Sequence, residues 1–210
     1  MSELDVAVGV DGRWVPLLLD PEADVDAWAA ATAAQVLEVR TDLPADAGPA
    51  DPPPDEVDRV ASLLAGLSRR TTAGALAVEG TLTAGAWAFA PEGVFTPLAV
   101  ATLRAHLLPA GADDEAAVSL VVDVDAPRYG DVEVEPLDTP SGHALRVTSR
   151  PVSPSGEASR VDEQQAVLWP WPQDEVLLVL STWWTDLVQA GRWSGALDDL
   201  ARLVDVRVVP

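Results

Sequence analysis

The chain has 210 residues, with 34 acidic side chains against 13 basic ones and a net charge of −21. That field repels phosphate backbones and anionic lipid, so neither nucleic acid nor a membrane surface is an expected partner, while basic or neutral proteins are. Every basic side chain is Arg, and Lys, Ile, Asn and Cys are absent. This excludes Schiff-base and phosphate-loop lysines, thiolate nucleophiles, disulfides and Cys-ligated zinc.

The run Leu4 to Val10 is rich in Val and predicts a strand. Asp11-Gly12 is a hairpin turn signal, and Trp14 to Leu19 predicts a second strand. Pro16 cannot donate to a ladder, which places that strand at an edge or a bulge. Asp24 caps a predicted helix over Val25 to Val39, with Val25, Trp28, Ala29, Thr32, Val36 and Val39 at steps of three and four. Residues 41–54 hold Pro44, Pro49, Pro52, Pro53 and Pro54 with three Asp, which predicts a mobile acidic loop. Asp55 opens a second helix whose stripe is Val57, Val60, Leu63, Leu64 and Leu67, with Arg69 and Arg70 suiting its C-terminal end.

A hairpin is predicted next, Gly74 to Val78 and Thr81 to Ala90 around Glu79-Gly80. Its many alanines suggest a sheet closely covered by a helix. Val94 to Leu107 reads as a strand, with a helix over Leu98 to Leu108 as the alternative. Asp113-Asp114-Glu115 opens a short helix through Val122. Val132 to Leu137 and Ala144 to Thr148 form a strand pair around Pro140-Ser141-Gly142, and Pro151 to Gly156 is a predicted loop. Val161 to Trp169 and Glu175 to Ser181 form a further pair, with Pro170 and Pro172 expected to break regular pairing. The last helix spans Thr185 to Leu203, interrupted near Gly191 and Gly195, and Val206 to Val209 is a final strand. Leu177, Val179, Leu187, Leu197, Leu200 and Leu203 are expected to meet between the last long strand and this helix.

No motif occupies the remaining catalytic routes. Gly191-Arg192-Trp193-Ser194-Gly195 has Ser at the fourth position, where a nucleophile elbow needs the third. Asp123-Val124-Asp125 and Asp131-Val132-Glu133-Val134-Glu135 place carboxylates on one face of a strand, which reads as a solvated outer face. A calcium loop is excluded there by Pro127 and the missing Gly. His106 lies in an apolar run and His143 beside a turn, neither with a partner at metal spacing. No catalytic, cofactor or metal residue is expected.

The eight Trp outnumber two Phe and one Tyr. GC-rich coding, pointing to an actinobacterial source, and core packing account for this, with a binding surface as the competing use. Adjacent Trp183 and Trp184 cannot share a face in either helix or strand, so one is expected in the core and one near the surface. Trp169 and Trp171 share a strand face. These four are the candidate partner-binding residues.

The stretch Gly142-His143-Ala144-Leu145-Arg146-Val147, then Ala166-Val167-Leu168-Trp169-Pro170, then Val176 to Ser181, then Ala196-Leu197-Asp198-Asp199-Leu200-Ala201, resembles the PsbP-like α/β/α sandwich group. The motif covers about a third of the chain, and the element order nearly all of it. The resemblance implies a binding or assembly module, including chaperones that shield secreted effectors, and it carries over no catalytic residue. The expected fold is α+β, a largely antiparallel sheet with helices packed on it in one domain, because strand signals come in adjacent pairs. The expected function is a non-catalytic cytoplasmic interaction protein, a chaperone, immunity or secretion-accessory factor with a protein partner, basic in character. The alternatives are a carboxylate- or metal-dependent hydrolase and a small-ligand carrier with a Trp-lined pocket. The acidic N-terminus is not expected to act as a signal peptide, and no stretch approaches the roughly 18 continuous apolar residues of a membrane span.

Overall fold

The computed structural model describes residues 3–9, 12–41, 54–77, 81–91, 97–123, 125–155 and 158–209. In chain order, the first half holds β1 (Glu3–Val8), β2 (Trp14–Pro16), α1 (Val25–Thr41), α2 (Pro54–Leu76), β3 (Thr81–Phe89), β4 (Ala99–Leu107) and α3 (Asp114–Ser119). The second half holds β5 (Glu133–Thr139), β6 (Gly142–Ser149), β7 (Val152–Ser155), β8 (Ala158–Val161), β9 (Glu163–Trp171), β10 (Val176–Trp184), α4 (Leu187–Arg192), α5 (Ala196–Ala201) and β11 (Val204–Val209).

The protein is α+β. Seven strands form one sheet in the order β2-β3-β4-β10-β9-β6-β5, antiparallel throughout. Helices cover both faces. The central strands carry the unbroken apolar runs Ala166–Trp169 and Leu177–Leu180, every residue of which is buried. A run apolar at every position is what a strand covered on both faces requires.

Alternate residues of these runs enter different cores. Val167, Trp169, Leu178 and Leu180 pack with Ala190 of α4, Leu197 and Leu200 of α5, and Val204 and Val206 of β11. Ala166, Leu168, Leu177 and Val179 face the other way, with Leu145 and Val147 of β6 and Ala117 of α3. On that same second face, Ala86 and Ala88 of β3 meet Ala29, Ala33 and Leu37 of α1 and Val60 and Leu64 of α2. The small alanines let the helices approach the sheet, as their spacing suggests.

This corrects the expected core pairing. Leu177 and Val179 point away from α5, and Leu178 and Leu180 are the residues that share its core. Leu187 is exposed and Leu203 half-buried, so of the helix residues expected there, Leu197 and Leu200 hold the core.

Several local expectations also change. Asp11 of the expected turn lies outside the described residues, and β1 and β2 do not pair with each other: β1 pairs antiparallel with β11, from the other end of the chain, in a two-stranded ribbon. β2 instead pairs with β3 at the sheet edge, where Pro16 is tolerated. Gly74 to Leu76 belong to α2, which runs past Arg69 and Arg70 instead of ending there. Pro151 to Gly156 is not simply a loop, because β7 pairs with β8. Pairing of β9 with β10 continues through Pro170, opposite Leu177, to Trp171 opposite Val176. The expected last helix is two short helices, broken at Trp193 to Gly195. The Asp24 and Asp113 caps form: Asp24 accepts from the Ala27 amide at 3.0 Å and Asp113 from the Ala116 amide at 2.9 Å. Residues 42–53 of the proline-rich acidic segment lie outside the described residues.

Two glycines have steric duties. A Cβ at Gly85 would lie 2.5 Å from the Trp87 ring, beside the register shift between Thr83 and Gly85. Gly142, at φ 101°, turns β5 into β6 in a conformation side chains disfavour. Ser141 of that turn donates to the Val204 carbonyl at 2.7 Å and accepts from the Val206 amide at 2.9 Å. One hydroxyl thus fastens the β1–β11 ribbon to the main sheet.

Candidate functional site

The tryptophans divide by face. Trp14, Trp87, Trp169 and Trp184 are buried. A buried indole N–H needs an acceptor, and three of these have one. Trp14 donates to the Ala196 carbonyl at 3.1 Å, Trp169 to the Thr139 hydroxyl at 2.8 Å, and Trp184 to the Gln165 side chain at 3.3 Å. Trp169 and Trp184 are therefore core residues and are not available to a partner. Trp171 is half-buried against the same core. Trp183 is 49% exposed, so the adjacent pair splits between core and surface as strand geometry requires.

Trp183 points to the α3 face, and a row of side chains runs across the sheet from it. Gln164 of β9 is its cross-strand partner, and Ser149 of β6 is the next one along. The row is the floor of a cleft of about 240 Å³ at the end of the sheet. The loop after α3 forms the opposite wall, with Val121, Val122, Asp123, Pro127 and Arg128. That loop is held by an isolated bridge between Arg128 and Pro151 and by the Val152 amide donating to the Pro127 carbonyl at 2.8 Å. Most of the lining is apolar, and the polar groups gather on the floor and at the Asp123 edge.

The floor bonds are long. Ser149 donates to Gln164 Oε1 at 3.3 Å, and Gln164 Nε2 donates to the Val121 carbonyl at 3.5 Å. Both exceed the usual lengths for such pairs, so both side chains retain hydrogen-bonding capacity. Arg128 spends its guanidinium on the wall itself, donating to the carbonyls of Asp123 at 3.1 Å and Ala126 at 3.4 Å. Asp123 and Asp125 make no ion pair among the described residues.

On the opposite face of the same strands lies a polar relay to the surface. Gln165, which accepts from Trp184, donates to Glu163 at 2.7 Å. Glu163 accepts from Arg150 at 2.9 Å, and Arg150 also reaches Glu133 at 3.1 Å. The hydrogen bond Arg150 donates to Glu133 raises its pKa above the ordinary value, against the cost of burial and aided by the bond it donates to Glu163. A parallel cluster joins Arg146 to Glu135 and, at 2.9 Å, to Asp198 of α5. These chains anchor strands and helix, and they use carboxylates that alternation alone assigns to solvent. Glu133 and Glu135 do lie on exposed β5 positions, but both are ion-paired.

The remaining sequence candidates are scattered. Ser194 is exposed in the break between α4 and α5, and His143 is exposed beside Gly142. His106 sits half-buried on β4, opposite Thr81 and Leu177. Burial and then the Arg104 charge lower its pKa. Neither Asp123 nor Asp125 lies in a strand, and among the described residues no three His, Asp or Glu side chains gather at metal-binding distance. Also among them, no helix is long and apolar enough to cross a membrane.

Sequence reasoning named Trp183 but not Ser149, Gln164 or Arg128. No local signal marks these three, because the registers of β6, β9 and β10 bring Ser149 and Gln164 to Trp183, and the bridge to Pro151 brings Arg128 there. No protein-family model, curated protein or solved structure matches the chain.

Proposed function

We propose that the chain is a non-catalytic protein-interaction module, in keeping with the binding and assembly roles implied by its PsbP-like resemblance. The observation that carries this is the half-exposed Trp183 in an apolar cleft, on a sheet whose other large aromatic side chains are mostly packed away. Tryptophans at the centre of interfaces carry disproportionate binding energy. At about 240 Å³ the cleft falls below the roughly 300–1,000 Å³ typical of small-molecule sites. It suits one large side chain of a protein better than a whole cofactor, which favours the module over the ligand carrier. The net charge of −21 selects a basic partner. A carboxylate- or metal-dependent hydrolase has less support, since Asp123 is the one carboxylate among the described residues that line the cleft, and paired-carboxylate chemistry needs two.

Trp183→p-benzoylphenylalanine tests the reading by photo-crosslinking in the producing cell. A discrete protein adduct is expected from position 183 and not from Val188, which is 78% exposed on α4, across the sheet. Equal adducts from both positions, or none from 183, would overturn it.

A further inference from the structure

The cleft that serves as docking site in the proposed function has chemistry specific enough to name its occupant. An anchor entering it meets the Trp183 indole, a loop wall of apolar side chains with Arg128 and, at its edge, Asp123, and a floor of one hydroxyl and one primary amide. A purely aliphatic anchor would leave the floor groups facing hydrocarbon. Their mutual bond at 3.3 Å and the bond to Val121 at 3.5 Å are too long to satisfy them well. A side chain with an apolar body and a polar tip answers both parts of the lining.

Charge limits what may flank that anchor. Asp123 edges the cleft and Asp125 lies two residues beyond; both are exposed. Arg128 lines the cleft and keeps its positive charge, since it donates to neutral loop carbonyls, whereas Arg150, on the far face, is paired with Glu133 and Glu163, and Arg160 with Asp162 at 2.9 Å. Two exposed carboxylates, Asp123 and Asp125, stand against the one Arg128 guanidinium at the mouth, so the local balance is negative, as is that of the whole chain. Basic residues on either side of the anchor gain attraction there, and acidic ones are repelled.

We infer that the cleft binds a tyrosine side chain presented by a basic segment of a partner protein, its ring against Trp183 and its hydroxyl on Ser149 and Gln164.

The probe is a fluorescein-labelled peptide, Gly-Arg-Arg-Tyr-Arg-Arg-Gly, titrated with the full chain at low salt. Its companions carry Phe or Ala for Tyr, or Glu for every Arg. The Tyr peptide should bind at least about tenfold tighter than the Ala peptide and about three- to tenfold tighter than the Phe peptide. Replacing Arg by Glu should cost about tenfold or more. Trp183→Ala should reduce the Tyr peptide to the level of the Ala peptide, and Gln164→Leu should erase the difference between Tyr and Phe. The wild-type comparison of Tyr with Phe stands even if a variant folds poorly. Equal binding of Tyr and Phe peptides, still dependent on Trp183, would overturn the tyrosine assignment and leave the module reading intact. An Ala peptide that binds as well as Tyr, or a Glu-flanked one that matches the Arg-flanked one, would overturn the inference. Loss of crosslinking at 183 would be needed to bring down the module reading as well.

Discussion

Trp184→Ala should destabilise the protein by roughly 3–5 kcal/mol, and Trp183→Ala by about 1 kcal/mol or less. The two residues are neighbours of one type on one strand, so composition and local propensity are matched. Only the face differs. Trp184 is 1% exposed, packs edge-on against Phe89 with centroids 5.8 Å apart, and bonds Gln165. Its removal opens a cavity beneath α4 and α5 and leaves the Gln165 oxygen short of a donor. Trp183 loses contact area that is already half in water. Urea unfolding midpoints at constant slope provide the measurement. Comparable losses from the two variants would mean that strand β10 is turned over, and the proposed docking cleft would vanish with it.

Leu200→Ala should cost about 2–5 kcal/mol, since Leu200 is fully buried between α5 and the sheet. A double-mutant cycle then reads which face of β10 it meets. Leu200 and Leu178 share one core, so their variants should couple by about 0.5 kcal/mol or more. Leu177 lies in the other core, and its coupling with Leu200 should stay within about 0.5 kcal/mol. Stronger coupling to Leu177 than to Leu178 would restore the pairing that sequence alignment of steps suggests and refute the layering described above.

Leu177 to Leu180 show why that pairing could not be read directly. Four consecutive apolar residues mark a strand buried on both faces, and they predict it well. The same uniformity removes the alternation that would say which residue faces which helix. Trp183 and Trp184 pose the same problem on a smaller scale: geometry demands that they part, but two identical side chains do not say which goes inward. The hairpin expected at Asp11-Gly12 failed for a different reason. Turn chemistry reports only local partners, and β1 finds its partner some two hundred residues away in β11. Helices were more legible, because Asp24 and Asp113 are capping residues whose bonds form within a single turn. The α+β architecture followed from paired strand signals, which survive such errors. The cleft did not follow. Ser149, Gln164 and Trp183 become neighbours through two registers, Ser149 with Gln164 and Gln164 with Trp183, that no periodicity encodes.

The central claim is that Trp183 is the indole left open for a partner. Proton–nitrogen spectra resolve indole N–H groups, and a soluble nitroxide broadens those it can approach. Broadening of the Trp183 resonance, assigned by its absence in Trp183→Ala, with the Trp169 and Trp184 resonances left sharp, is the predicted result. A Trp183 resonance as well shielded as that of Trp184 would contradict the account, because a closed cleft has nothing to offer a partner.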